Sequence, residues 1–151
     1  MNSPPAGRNQ SRSPLIHVKA SGSRPCYRRL MTQRTLLPTD EAQALKLVDA
    51  VQVSTAGIVS KTLLNSPEVR VVLFTFAEGQ ELTAHASRRR ALVQILEGTC
   101  DFLFADKWQR LEAGMFLHLP PNHLHAVRAT SGPFSMLLTL GTEAVTTTPS
   151  T

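Results

Sequence analysis

Short apolar runs, separated by turn residues, follow one another from residue 57 almost to the end of the chain. Many of these runs are rich in β-branched or aromatic residues, which favours strands over helices. We predict strands at residues 57–64, 69–77, 91–96, 99–105, 108–111, 115–119, 123–130 and 134–140. About eight short strands with a turn signal every 8–12 residues are typical of an all-β sandwich or barrel.

One short helix is predicted before the strands, at residues 40–49. Thr39 is a candidate N-cap, Asp40 and Glu41 fall in the first turn, and most of the following residues are good helix formers. Because no further helices alternate with the strands, a parallel α/β sheet is disfavoured. The chain is therefore predicted to be all-β and antiparallel, with a short N-terminal helix.

Positive charge is concentrated at the N-terminus. The 151 residues carry a net charge of +5, but residues 1–30 hold six basic side chains and no acidic one. Residues 31–151 carry ten basic and eleven acidic side chains and are therefore close to neutral. This distribution argues against nucleic acid as a partner of the folded part of the chain.

We divide the chain into a disordered basic tail at 1–34, one barrel domain at 35–142 and a second disordered tail at 143–151. Three explanations of the first tail stay open. It is a targeting segment, a weak nucleic-acid-binding arm, or the product of a misplaced start whose true first residue is Met31. We favour the misplaced start, because charge and composition change at Met31.

The compartment is predicted from two further features of the sequence. No apolar run approaches the ~20 residues that span a bilayer, and the N-terminal apolar cluster is too short for a secretory signal. Two cysteines, Cys26 and Cys100, cannot form a disulfide framework. We expect a cytoplasmic protein without a membrane partner, in which Cys100 is a small residue on a strand.

Histidines are the residues best suited to carry chemistry. Four of the five lie in the predicted domain: His85, His118, His123 and His125. On one strand, His123 and His125 would point to the same face with Cα atoms about 6–7 Å apart. Such a pair can share a metal ion with a ligand from another strand. The alternative is that one of the two lies in the break after Pro121 and points to solvent.

The sequence lacks the motifs of several enzyme classes, but it contains one basic run that could bind an anionic group. The sequence has no P-loop, dinucleotide-binding fingerprint or hydrolase nucleophile motif, so phosphoryl and hydride transfer lose their usual support. The basic run Arg88-Arg89-Arg90 is either a solvated loop or a clamp for a carboxylate or phosphate group, which guanidinium groups bind well.

Two spaced motifs resemble those of the cupin superfamily. Gly79-x5-His85-x-Ser87-x3-Ala91-x6-Gly98 resembles the first cupin motif, and Gly114-x5-Pro120-x-Asn122-x2-His125-x3-Ala129 resembles the second. The resemblance extends over most of residues 57–141. It implies an RmlC-like antiparallel jelly-roll barrel (a double-stranded β-helix), often dimeric, with a pocket at one end. We therefore expect a homodimer that binds a small-molecule ligand.

The resemblance also implies a metal site, which this sequence only partly retains. Metal-binding cupins take two histidines and a glutamate from the first motif and one histidine from the second. His85 and His125 match, whereas Ser87 and Ala91 stand where the second histidine and the glutamate are expected. Serine is a poor ligand for a divalent ion, and alanine cannot be one.

Three functional hypotheses follow. In the first, His85, His125 and His123, or else His118 as the third, bind a divalent Zn, Mn, Ni or Fe ion for chemistry on a small carboxylate or sugar-like substrate. In the second, a metal-free barrel binds or senses a small molecule. A purely structural protein is the third. The sequence does not decide whether the chain is an enzyme, and the candidate substrate-binding residues are Ser87, Arg88, Arg90 and His118.

Overall fold

A computed structural model describes residues 35–143 of the chain. The predicted tails, 1–34 and 143–151, lie outside these residues except for Glu143. The elements are α1 (Leu47–Ala50), β1 (Ile58–Asn65), β2 (Arg70–Phe76), β3 (Glu81–His85), β4 (Arg89–Glu97), β5 (Thr99–Phe104), β6 (Lys107–Glu112), β7 (Phe116–Leu119), β8 (His125–Arg128) and β9 (Phe134–Glu143). None of the helical structure in this part of the chain is long and apolar enough to cross a membrane.

The strands form two antiparallel sheets. The larger sheet has the order β1-β2-β9-β4-β7, and the smaller has the order β3-β8-β5-β6. The C-terminal strand β9 lies between β2 and β4, so the first and last parts of the barrel are joined in one sheet. The all-β antiparallel fold predicted from the sequence is confirmed.

The inner faces of the two sheets enclose the main core. Alternate residues of β4 are buried, as the two-residue period of a strand requires: Ala91, Val93 and Ile95. Phe76 and Phe134 come from neighbouring strands of the larger sheet, and their rings stack with centroids 4.4 Å apart. Phe102 enters the same core from the smaller sheet. Burying each such ring contributes about 1.5–3 kcal/mol, so these side chains fix how the sheets pack.

A second, smaller apolar cluster lies on the outer face of the larger sheet. The segment before β1 runs along the edge of β1, where Leu36 and Leu37 donate backbone hydrogen bonds at 3.2 and 2.8 Å. Farther along this segment, Ala50 packs against Leu63 and Leu73. The N-terminal segment therefore covers an apolar part of the sheet that would otherwise face water.

The helix is shorter than predicted. It begins at Leu47 rather than at residue 40, and its N-cap is Lys46, whose side chain makes no cap hydrogen bond. Thr39 is therefore not the cap. Residues 39–46 are all exposed, so this segment has no apolar face packed on the sheet. Without such packing, a helix of this length is marginal in water.

Two local features of the strands also differ from the prediction. Strand β3 is not predicted, because only Leu82 in it is half-buried and the apolar alternation is missing. The predicted strands 99–105 and 108–111 leave residues 106 and 107 for the turn between them, whereas the observed turn between β5 and β6 has Ala105 and Asp106 as its central residues. Both central residues have positive φ angles, 50° and 59°. Positive φ at both positions is the geometry of a type I′ hairpin turn.

Candidate functional site

A cavity of about 90 Å³ lies between the inner faces of the two sheets. Eight of its lining residues are apolar and two are histidines: Phe74, Leu82, Val93, Phe102, Leu119, Val127, Met136, Leu138, His85 and His125. The cavity is well below the ~300–1,000 Å³ of pockets for drug-sized ligands. It therefore has room for the apolar part of a small molecule only.

The two histidines are brought together by the pairing of β3 with β8. His85 pairs directly with His125, while Leu82 pairs with Val127, so two residues of β3 oppose one residue of β8 between these pairs. This β-bulge adds one residue to β3 and turns His85 to the same side as Leu82. Without it, residues 82 and 85 would point to opposite faces of the sheet.

Backbone carbonyl groups fix the proton on each imidazole. His85 Nδ1 lies 2.8 Å from the carbonyl oxygen of Thr83, and His125 Nδ1 lies 2.8 Å from that of His123. A carbonyl oxygen can only accept, so each Nδ1 carries the proton and donates. In the neutral rings, each Nε2 atom is consequently left with its lone pair. Neither Nε2 atom has a hydrogen-bond partner within residues 35–143.

The surroundings of His125 favour its neutral form. The ring is half-buried, lies 4.3 Å from the His85 ring between centroids, and is nearly parallel to the buried ring of Phe102 at 6.2 Å. Burial lowers the pKa of His125, and positive charge on His85 or His123 would lower it further. The hydrogen bond to the His123 carbonyl has the opposite effect on this pKa but does not outweigh burial.

His123 lies apart from this pair. Strand β8 begins at His125, so His123 is in the loop after Asn122, whose φ angle is 62°. The assumption that both histidines share one face of a strand therefore does not hold. Instead, His123 Nε2 accepts a hydrogen bond of 3.2 Å from the backbone N–H of Ala105. The structure does not assemble the predicted set of His85, His123 and His125.

The predicted substrate-binding residues do not line the cavity. His118 and Arg90 are exposed on neighbouring strands of the larger sheet, where the Arg90 guanidinium donates to His118 Nε2. Arg88 is exposed in the loop before β4. Ser87 is half-buried, and its hydroxyl oxygen accepts a 3.0 Å hydrogen bond from the N–H of Arg89. Ser87 thus shapes the loop between β3 and β4.

The side chains at the site do not fit a resident metal ion. Ala91 is buried in the core and offers no ligand atom. From residue 35 to residue 143, no three His, Cys, Asp or Glu side chains are placed to hold an ion together. Two neutral imidazoles without a third protein ligand fall short of the three or four that zinc sites use.

The comparisons with known proteins agree with this architecture. The family model described as "Cupin domain" matches residues 72–140. A cupin superfamily protein from Desulfitobacterium hafniense is similar in structure, with 27% identity, a TM-score of 0.63, and coverage of 72% of this chain and 97% of that one. Residues 72–140 therefore form a cupin domain. No curated protein matches this cupin.

Two further solved structures are similar to this cupin. A cupin 2 conserved barrel domain protein from Leptotrichia buccalis is 32% identical, with a TM-score of 0.61, over 64% of this chain and 47% of that one. A conserved protein of unknown function from Streptococcus pyogenes has a TM-score of 0.63 and 24% identity, over 76% of this chain and 99% of that one. This last likeness concerns the fold alone.

Sequence reasoning finds the two cavity histidines and misses what orients them. The orienting atoms are the backbone oxygens of Thr83 and His123, which have no signature in the sequence. Phe102, a residue of the main core, also stacks on His125. Leu82 and His85 are three residues apart, which on a regular strand would place their side chains on opposite faces. Their shared position at the cavity follows only once the bulge between them is known.

Proposed function

We propose that this cupin binds a small molecule in the cavity between its sheets, without a resident metal ion. The proposal rests on one observation: two imidazoles, paired across β3 and β8, are the only polar side chains among the described residues that line an otherwise apolar cavity. The apolar part of the ligand packs among the aliphatic and aromatic walls. Its polar group bonds to His85 and His125.

The arrangement supports binding more directly than catalysis. Each imidazole is already oriented by a backbone hydrogen bond, so a ligand does not have to pay the entropy of ordering it. Apolar walls with a few convergent polar groups are the usual composition of small-molecule sites. A nucleophile and a complete metal-ligand set are both missing from the cavity lining within residues 35–143.

The experiment is a thermal-shift screen of the full chain with small alcohols, diols, carboxylic acids and amines. Ligand that binds the folded state raises the melting temperature, since the gain in stability is RT ln(1 + [L]/Kd). A matched pair of variants on β9 locates the site. Leu138 lines the cavity, whereas Leu137 packs in the outer cluster. Leu138→Phe should abolish the shift by filling the cavity, and Leu137→Phe should keep it. A shift that survives Leu138→Phe, or no shift with any compound, would contradict the proposal.

The same screen includes Zn²⁺, Mn²⁺, Ni²⁺ and Fe²⁺, because metal-assisted chemistry on a small carboxylate or sugar-like substrate stays a prediction from the sequence. One ion retained per chain, and lost in His85→Ala, would favour that function over ours. The homodimer and the cytoplasmic location also stay predictions. Light scattering coupled to size-exclusion chromatography tests the first.

A further inference from the structure

We propose that the ligand is a small neutral molecule with two adjacent hydroxyl groups on a short apolar body. This inference rests on the proposed ligand-binding function and specifies the chemical class. It is carried by the two imidazoles at the cavity, both of which donate from Nδ1 to backbone oxygens and leave Nε2 as the atom that meets a ligand.

The two Nε2 atoms require hydrogen-bond donors. A neutral imidazole nitrogen without a proton is an acceptor. His85 is exposed and its Nε2 can bond to water, whereas the His125 ring is half-buried, so an unpaired Nε2 on His125 costs free energy. The two rings lie 4.3 Å apart between centroids, so one small ligand can contact both. One hydroxyl group supplies one proton and pairs with one ring. Two hydroxyl groups on neighbouring carbons supply one proton to each ring.

Charged ligands fit the cavity less well. A carboxylate has acceptor atoms only, so it would meet the two lone pairs without a proton between them. None of the described lining residues is Lys or Arg, which could balance a carboxylate, and none is Asp or Glu, which could balance an ammonium group. A charge held against these apolar walls without a charged partner is costly.

The size of the cavity limits the rest of the molecule. About 90 Å³ is small compared with the ~300–1,000 Å³ of ordinary ligand pockets, so only a short apolar body fits between the sheets. The walls next to the histidines include Leu82, Phe102 and Val127, which offer no further hydrogen-bonding side chains. A sugar, with hydroxyl groups on every carbon, would leave several of them unpaired against these walls. A short alkyl chain ending in a vicinal diol fits both constraints.

The test is a titration of the full chain at pH 7.5 with four probes that share four carbons: 1,2-butanediol, 1-butanol, butyrate and butylammonium. Binding is followed by the probe's own NMR signals. We expect 1,2-butanediol to bind about fivefold more tightly than 1-butanol, because one additional hydrogen bond has about this net value. Butyrate and butylammonium should bind more weakly than the diol.

The variants His85→Phe and His125→Phe each remove one acceptor. In either variant, the fivefold preference for the diol over 1-butanol should disappear, since one remaining acceptor pairs with one hydroxyl group. The ratio is measured within each variant, so partial unfolding does not imitate the result. His118→Phe is the matched control, because His118 is on the outer face and should leave the ratio unchanged.

The outcomes separate this inference from the proposed function. If butyrate binds at least as tightly as the diol and Leu138→Phe abolishes its binding, the cavity binds ligand but the diol class is wrong. A diol preference that persists in both His85→Phe and His125→Phe also overturns the inference. If none of the four probes binds and the broader screen is flat as well, the proposed function itself fails.

Discussion

Gly98 provides a sharp test of how the two sheets are joined. It lies between β4 and β5 with a φ angle of +76°, and a Cβ atom there would lie 2.5 Å from the carbonyl oxygen of Pro133 and 2.9 Å from the Cβ of Phe134. Gly79 has nearly the same φ angle, +78°, but a Cβ atom added to it would meet nothing within 4 Å. An alanine at either position adopts the same strained backbone conformation, but only at position 98 does its methyl group also clash with neighbouring atoms.

Both Gly98→Ala and Gly79→Ala should lose about 1–2 kcal/mol of unfolding free energy, because an L-residue is strained in the left-handed region. Gly98→Ala should lose a further ~1–3 kcal/mol, since the backbone at Pro133 must move away from the new methyl group. For a domain of this size each kcal/mol lowers the melting temperature by about 4–8 °C.

Urea unfolding followed by circular dichroism measures both variants against the wild type. We expect Gly98→Ala to be clearly the less stable of the two. Equal losses of stability would show that the backbone at Pro133 is not in close contact with Gly98. That result would refute the close approach of the turn between β4 and β5 to the start of β9, and with it the way in which the two sheets are joined here.

Three further predictions concern single side chains. Burial holds the pKa of His125 below its ordinary value of about 6.5, so as the pH falls the unfolded chain protonates this imidazole before the folded chain does. The contribution of His125 to stability should therefore be complete above about pH 6.5 and fall below it, and His125→Gln should flatten this decline in urea unfolding measured from pH 7.5 to 5. Burial raises the pKa of the Cys100 thiol to about 12, so Cys100 should resist a thiol reagent at pH 8 until the protein is unfolded. The test uses the Cys26→Ser variant, and rapid labelling of its native state would contradict the prediction. The Arg128 guanidinium lies 4.0 Å from the centre of the ring of Trp108, the only tryptophan of the sequence. Arg128→Ala should therefore shift the tryptophan emission to longer wavelength and lower the free energy of unfolding by about 1 kcal/mol, and an unchanged emission spectrum would contradict the contact.

Most of the fold could be predicted from the sequence because buried strands leave a periodic pattern. Strand β4 alternates buried and accessible residues, and the glycines at 79, 98 and 114 all have positive φ angles, as tight turns between strands require. Strand β3 and the length of α1 could not be predicted. Both depend on pairing and packing with distant segments rather than on their own residues.

The candidate site shows the same division. His85 and His125 could be selected from motif spacing, and the structure pairs them. The position of His123 could not, because its prediction assumed a strand that in fact begins two residues later. Arg90 and His118, which stay predictions as substrate-binding residues, do not line this cavity. Each lies next to a buried residue on its strand, so its own side chain faces outward.

The most direct test of a ligand site between the sheets is an NMR experiment that detects nuclear Overhauser effects between 1,2-butanediol and the methyl groups of the protein. We predict contacts from the alkyl end of the diol to Val93 and Leu138, which line the cavity. The same experiment should show none to Leu137, whose side chain packs in the outer cluster. Contacts to Leu137 without contacts to Val93 and Leu138, or no contacts at a saturating diol concentration, would contradict the account.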